Sequence, residues 1–204
     1  MYTPRFNQLS DRATLIEAMR AYSFAILFGP GDAGSPTATH LPLVVKDEGP
    51  YGALEGHFAK ANTHWQSLAN CETLVVFSGP HSYVSPSLYA ERLSVPTWNY
   101  IAIHAYGPLS LIEDDDAKDA LLAGLIQSNE PAYADQWRSL PDGFRRTMLA
   151  GIVGFRIPIT RIEGKFKLSQ NRPEGDRHNV HASHSTGTPD QQQLAAWMQR
   201  LSAN

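Results

Sequence analysis

The feature that most constrains the fold is a succession of short apolar runs, each ended by glycine, proline or polar turn residues. The runs are rich in β-branched and aromatic residues, as is typical of strands joined by tight connections. They cover residues 24–28, 37–46, 52–59, 72–78, 100–112 and 151–164. Regular strand–helix alternation, which would predict a parallel sheet, is missing. The sequence therefore predicts about six mainly antiparallel strands closed into a small barrel.

Helical segments are inserted between these runs and follow them. A capping residue at Ser10 or Asp11 and an apolar face predict a first helix up to Tyr22. Further helices are predicted over residues 62–68, 114–127, 140–150 and 189–201. We therefore expect one domain over residues 1–204, with a C-terminal helical extension over about 172–204.

Two segments predict less regular structure. The polar segment 178–188 is expected to be loosely ordered because it offers little apolar surface to bury. Pro158 interrupts the long run before residue 164 and is expected to mark a bulge or a sheet edge.

Composition narrows the class of protein. The chain has 204 residues, of which 42% are hydrophobic and 18% are charged, which suits a folded domain with a sizeable core. The 17 basic and 20 acidic residues give a net charge of −3, whereas dedicated nucleic-acid-binding proteins usually carry a basic excess. No signal peptide or apolar membrane span is recognised, and Cys71 is the only cysteine. We therefore expect a cytoplasmic protein without an intrachain disulfide or a membrane contact.

Well-known catalytic and nucleotide signatures are missing. The chain has neither a dinucleotide or phosphate-binding glycine motif nor the glycine–serine elbow of a hydrolase, so no catalytic residue is assigned. His178, His181 and His184 recur every three residues, which leaves open a metal site or a solvated tail, and no metal ligand is assigned. The basic residues between 156 and 177 leave open a phosphate-contacting stripe or an ordinary solvated face.

Hydroxyl, amide, imidazole and ammonium groups concentrate at the predicted strand ends, next to glycine or proline. Five such sequence motifs cover residues 38–43, 56–62, 79–86, 95–100 and 166–171. Strand ends that open into loops are where a rigid barrel builds a ligand site. The stretch from Thr37 to Tyr106 is therefore expected to carry most of the chemistry.

The second motif places Lys60 and Asn62 between a predicted strand and a predicted helix. A helix start offers free N–H groups and a partial positive charge, which favour a phosphate, and Lys60 would add a full charge. By spacing alone, a capped surface helix with a solvated lysine is the commoner arrangement. Residues 97–100 are compatible with contact to a flat heteroaromatic ring or with a half-buried aromatic cluster.

Taken together and in this order, the five motifs resemble those of the PaiB family, also described as FMN-binding negative transcriptional regulators. The most specific segments are residues 39–42, 79–86 and 96–100, and the resemblance runs nearly end to end. It implies an FMN-binding split β-barrel, similar in fold to the pyridoxamine phosphate oxidase group. It also implies a homodimer that holds FMN at the subunit interface.

The resemblance further implies a set of cofactor-binding residues. Lys60, Ala61 and Asn62 match the positions after the third strand that bind the FMN phosphate in that architecture. Thr39 and His40 would lie beneath the isoalloxazine ring, with His57 nearby. The partner subunit would contribute Trp98, Asn99, Tyr100, Lys167, Ser169 and Gln170.

Two functions of different classes follow. The family description implies a regulator with a DNA partner, although no tight helix pair of the recognition type and no basic excess supports it. The alternative is a flavin-dependent oxidoreductase using NAD(P)H or another small reductant, or a haem-degrading relative. There, His40, His57 or His104 would donate a proton or ligate haem. A third option is a flavin-binding fold that has lost both activities.

Overall fold

The computed structural model describes residues 1–31 and 34–202 and folds into two compact units. The larger unit comprises Arg12–Phe77 and His104–Ile162. The smaller unit comprises Met1–Asp11, Ser78–Ile103 and Glu163–Asn204. Each unit is described by itself below. No helix within the described ranges is long and apolar enough to cross a membrane.

Strands and helices alternate irregularly along the chain. The strands are β1 Gln8–Leu9, β2 Phe24–Pro30, β3 Pro36–Pro42, β4 Val44–Lys46, β5 Ala53–Ala59, β6 Glu72–Val84, β7 Thr97–Pro108, β8 Ser110–Ile112, β9 Ile152–Pro158 and β10 Arg161–Lys167. The helices are α1 Arg12–Ala21, α2 His64–Leu68, α3 Asp115–Asn129, α4 Ala134–Ser139, α5 Asp142–Ala150, α6 Glu174–Ser185 and α7 Pro189–Ser202. They form a six-stranded sheet of order β1-β10-β7-β6-β2-β3 and a four-stranded sheet of order β4-β5-β9-β8.

The four-stranded sheet lies within the larger unit and is antiparallel throughout. Its core face carries fully buried side chains that alternate along β5 and β9, namely Leu54, Phe58, Phe155 and Ile157. Gly56 permits this packing, because a Cβ there would lie 2.9 Å from the Phe155 ring. Helix α3 packs beside β4, where Val44, Leu121 and Leu125 form a buried apolar cluster.

Strand β2 also lies in the larger unit and pairs antiparallel with both β3 and β6. Thr39 lies opposite Leu27 on β2, and His40 lies opposite Ile26. Because side chains alternate along a strand, Thr39 and His40 point to opposite faces of β3. This alternation separates two residues that the sequence placed under one ring.

The smaller unit combines the β1–β10 pair with the two C-terminal helices. Gln8 and Leu9 pair with Lys165 and Gly164. The Phe166 ring meets the Trp197 ring of α7 edge to face at 5.3 Å between centroids. The buried face of α6 is formed by Asp176, Val180 and His184, spaced four residues apart.

Most predicted elements are confirmed, including the mixed fold with antiparallel sheets and the helices over 10–22, 114–127 and 189–201. The run 37–46 is two strands, and the run 151–164 divides after Pro158, because proline lacks the N–H that a continuing ladder needs. Of the predicted turn at 29–36, residues 32 and 33 lie outside the described part of the chain.

Two predictions about irregular segments were wrong, and one helix was missed. Residues 178–188, expected to be loosely ordered, lie mostly within α6. Residues 79–84, expected to form a loop after a shorter strand, continue β6 to Val84. Helix α4 was not predicted at all.

Candidate functional site

The turn between β5 and α2 brings three polar side chains of the larger unit together. Oγ1 of Thr39 lies 2.9 Å from Nδ1 of His64. Nδ2 of Asn62 donates to the same Thr39 oxygen at 3.4 Å, and Oδ1 of Asn62 accepts from the His64 backbone N–H at 3.1 Å. We call Thr39, Asn62 and His64 the corner network.

The corner network is joined through one hydroxyl oxygen. Oγ1 of Thr39 accepts from Asn62 and is also hydrogen-bonded to Nδ1 of His64. Asn62 was predicted to cap α2, but the N-cap residue is Thr63, which makes no side-chain cap hydrogen bond, and Asn62 instead accepts from the N–H of His64, the first residue of this five-residue helix. The network thus holds the turn in one conformation.

Lys60 and Ala61 form the exposed part of the same turn. The Lys60 backbone N–H donates to the carbonyl of Gly151 at 2.9 Å, and its carbonyl accepts from Nε1 of Trp65 at 3.4 Å. The Lys60 ammonium makes no hydrogen bond or ion pair within residues 1–31 and 34–202. An anchored backbone with an uncommitted cation beside polar donors suits a phosphate.

His40 and His57 lie in other surroundings. His40 is exposed and stacks on the Phe24 ring at 6.3 Å. His57 pairs with Gly154 on β9, where a Cβ would meet Ile112 and Lys118. Its Nδ1 is buried without a hydrogen-bond partner among the described residues, and burial lowers the pKa of the imidazole. His57 is therefore a neutral ring with an unused nitrogen, separate from the corner network.

A second polar group forms in the smaller unit after β10. The amide of Asn99 and the hydroxyl of Ser169 bond to each other, at 3.0 Å from Nδ2 and 3.1 Å from Oδ1. Asn99 is fully buried and Ser169 is 4% exposed. Lys167 donates from Nζ to Oγ1 of Thr97. We call Thr97, Asn99, Lys167 and Ser169 the β10-end cluster.

Lys167 lies in cationic surroundings. Burial lowers the pKa of its ammonium, and the charges of Lys165 and Arg172 lower it further. Lys165 itself lies against the Tyr100 ring, with Nζ 5.2 Å from the centroid. An anion placed at Lys167 would relieve this repulsion, so the β10-end cluster is also suited to a phosphate or another acidic group.

Gln170 and Trp98 differ in their availability. Gln170 uses both ends of its amide on backbone groups, since Nε2 donates to the Phe166 carbonyl and Oε1 accepts from the Leu168 N–H at 2.7 Å. It closes the turn in which Ser169 adopts a φ of 64°. Trp98 is 51% exposed and lies 6.1 Å from the rings of His81 and Tyr83. That aromatic surface suits a flat ring.

The predicted site residues thus form two groups, one in each unit. The larger unit unites Thr39, Lys60, Ala61 and Asn62 at one turn, and the smaller unit unites Asn99, Lys167 and Ser169. The donors present, an ammonium, hydroxyls and amides next to aromatic surface, fit the phosphate, the hydroxyls and the flat ring of FMN. His64 was missing from the prediction, although it follows Asn62 at a spacing that allows its backbone N–H to bond the asparagine side chain.

The three C-terminal histidines do not converge. His184 is buried, whereas His178 and His181 lie on another face of α6, because a three-residue spacing rotates each side chain around the helix. No group of three or more metal-binding side chains occurs in the part of the chain that the structure describes.

Comparisons with known proteins identify similar sequences. Residues 1–161 match the family described as "Putative FMN-binding domain". The chain is 35% identical to "Protease synthase and sporulation protein PAI 2" of Bacillus subtilis, over 98% of this chain and 97% of that one. It is 30% identical to an uncharacterised protein of Emericella nidulans, over 70% of this chain and 72% of that one.

Two solved structures share the fold. The FAD and heme binding protein from Mycobacterium smegmatis superposes with a TM-score of 0.64 at 18% identity, covering 87% of this chain and 80% of that one. The flavocytochrome Anf3 from Azotobacter vinelandii superposes with a TM-score of 0.65 at 16% identity, covering 87% and 78%. At these identities the likeness concerns the fold alone.

Proposed function

This chain belongs to the PaiB-type family of FMN-binding domains, and on that premise we propose that it binds FMN and acts as a negative regulator of transcription. One structural observation carries the flavin part of the proposal. The Lys60 ammonium is exposed and uncommitted on a turn that the corner network holds fixed. A preorganised cation loses little freedom when a phosphate binds to it.

Each part of the corner has a role in this proposal. Lys60 would provide a charge-assisted hydrogen bond to the FMN phosphate, and Ala61 and Asn62 would shape the turn around it. Thr39 and His64 would act as positioning residues, since they hold the amide of Asn62. His40 and His57 would lie near the isoalloxazine ring.

We assign the other residues to a partner subunit. A homodimer would place Trp98, Asn99 and Tyr100 beside the flavin of the other protomer, together with Lys167, Ser169 and Gln170. The half-exposed rings of Tyr83 and Trp98 support a partner contact, because exposed aromatic side chains are typical of interfaces. Sedimentation would test this proposal, and a monomer that still binds FMN tightly would contradict it.

Absorbance tests the cofactor proposal. Purified protein mixed with FMN and passed through a desalting column should retain the flavin bands in about one equivalent per chain, in line with one site per protomer. When bound, flavin supplies one- and two-electron transfer, and the protein tunes and shields it. Protein that leaves the column colourless would contradict the proposal.

The regulatory part rests on the family description. The structure offers a modest surface for it, because several of the basic residues between 156 and 177 are engaged internally. Arg156 pairs with Glu48 and Glu55, Arg161 covers the Tyr106 ring and Arg172 covers the Tyr89 ring. Direct DNA binding predicts an electrophoretic shift of the upstream DNA of its own gene, which weakens steeply as salt rises. No shift at low salt would contradict direct binding.

A flavin-dependent oxidoreductase is the second candidate. The observation that favours it is the unpartnered Nδ1 of His57, a neutral imidazole able to exchange a proton with a substrate or flavin. Anaerobic mixing of the FMN-loaded protein with NADPH or NADH tests it. Bleaching of the flavin bands within seconds would favour the enzyme, and flavin that stays oxidised would exclude both reductants.

A further inference from the structure

Helices α6 and α7 of the smaller unit border a cavity of about 620 Å³. The buried side chains of Leu168 and Met198 give it an apolar floor. Its volume is in the range of small-molecule sites. The cavity lies wholly beyond residue 161, where the match to the FMN-binding family ends.

The polar wall of this cavity is one face of α6. Glu174, Arg177, His178 and His181 all line it. Their spacing of three, four and seven residues places them along one stripe of the helix, and the buried stripe with Val180 lies on another side. The wall therefore presents one carboxylate against one guanidinium and two imidazoles.

The arginine and the two histidines of this wall are uncommitted. Within the described residues, the side chains of Arg177, His178 and His181 form no hydrogen bond and no ion pair. Gln170, at the end of the cavity, differs because its amide is fully used by backbone groups. Uncommitted donors above an apolar floor are complementary to a ligand with an acidic head and an apolar body.

We propose that this cavity is a second ligand site, which binds a small amphipathic organic acid with its acidic group at Arg177 and its apolar body against Met198. The site is independent of the flavin proposal. Its floor and end nevertheless include Leu168 and Gln170, the two neighbours of Ser169 in the β10-end cluster. A ligand there would touch the segment that carries that cluster.

Methionine NMR provides a local test. With ¹³C-methyl methionine, the Met198 signal, assigned by Met198→Leu, should shift on titration with octanoate, while those of Met1, Met19 and Met148 stay in place. Octanamide has the same apolar body without the charge, so it should bind about tenfold more weakly. No shift of Met198 with octanoate, or equal binding of the two compounds, would overturn the proposal.

Two arginine variants locate the head group. Arg177→Gln should weaken octanoate binding about tenfold, because a hydrogen bond between two charged groups is lost. Arg200→Gln removes the same charge from α7. Arg200 lies outside the cavity lining and its guanidinium is 5.0 Å from the centroid of the Trp197 ring, so this change should alter binding less than about twofold. Both side chains are exposed, so the fold should tolerate either change. Equal effects of the two variants would contradict the assignment of Arg177.

Discussion

The corner network and the β10-end cluster combine the same residue types at different degrees of burial. Each joins an asparagine to a hydroxyl residue, next to a lysine. In the corner network, Asn62 and Thr39 are only partly buried, and the neighbouring Lys60 is exposed. In the β10-end cluster, Asn99 and Ser169 are buried and bonded to each other. The two groups therefore differ in burial rather than in residue type.

This difference has an energetic meaning. A buried polar pair contributes little net stability while it is intact, but removal of one partner leaves the other desolvated and unsatisfied. A half-exposed pair loses less, because water replaces the missing partner. The two clusters should therefore respond differently to equivalent substitutions.

The largest effect is expected from Asn99→Ala. The variant removes a fully buried amide and leaves Ser169 without its partner, so the free energy of unfolding should fall by about 2–3 kcal/mol. The matched change Asn62→Ala should cost about 1 kcal/mol or less. Urea denaturation of the FMN-free proteins measures both. Equal losses would show that burial does not distinguish the two clusters.

The next effect concerns FMN affinity. Lys60→Ala should weaken FMN binding by about tenfold or more through loss of a charge-assisted phosphate contact, and it should leave the free energy of unfolding unchanged. Arg138→Gln removes an exposed charge from α4 and is the control. Flavin fluorescence quenching gives both dissociation constants. Unchanged affinity in Lys60→Ala would remove Lys60 from the site.

A smaller effect is expected from Lys167→Met. Its ammonium already lies among like charges with a lowered pKa, so the FMN-free protein should be as stable as before or more stable. FMN affinity should fall by about fivefold, which is less than for Lys60→Ala. The effect is smaller because the positive charges of Lys165 and Arg172 remain close to this position. A loss of stability with unchanged FMN affinity would assign Lys167 to the fold rather than to the ligand.

The sequence predicts those parts of the molecule that are determined by residues close to one another along the chain. Alternation and turn residues predicted the antiparallel sheets. The place of Lys60–Asn62 between a strand and a helix was also predicted, whereas its assignment to a phosphate came from the family resemblance. The contact between Thr39 and His64 spans 25 residues and has no local signal. Burial is equally invisible in the sequence, so the hydrogen bonds of the Asn99 and Gln170 amides within the chain were not predicted.

The prediction for the segment of helix α6 failed for a different reason. Its buried stripe contains one apolar residue, Val180, between Asp176 and His184. Periodic burial of polar residues leaves no hydrophobic pattern in the sequence. The segment therefore resembles a solvated tail until its tertiary contacts are known, among them the bond from the Ala90 N–H to Asp176 at 2.9 Å.

The smallest predicted effect distinguishes two histidines with buried ring nitrogens, one in each unit. Burial lowers the pKa of both His57 and His184 below 6.5, and the charge of His181 lowers that of His184 further. Both ring nitrogens of His184 are buried without a hydrogen-bond partner among the described residues, whereas His57 has one such nitrogen. His184 should therefore resist protonation in the folded state.

The sign of the pH dependence follows from the protons that each state binds. Above pH 6.5 the ring is neutral in both states, so its contribution to stability is fully present. As the pH falls below that value, His184 binds a proton in the unfolded chain but stays neutral in the folded chain. The free energy of unfolding therefore decreases. His184→Phe should flatten this decrease, while His178→Gln, on the cavity face of α6, should leave it unchanged. Urea denaturation from about pH 8 to about pH 5.5 measures the slopes, and a slope in His184→Phe as steep as in the parent protein would show that buried His184 accepts its proton without penalty.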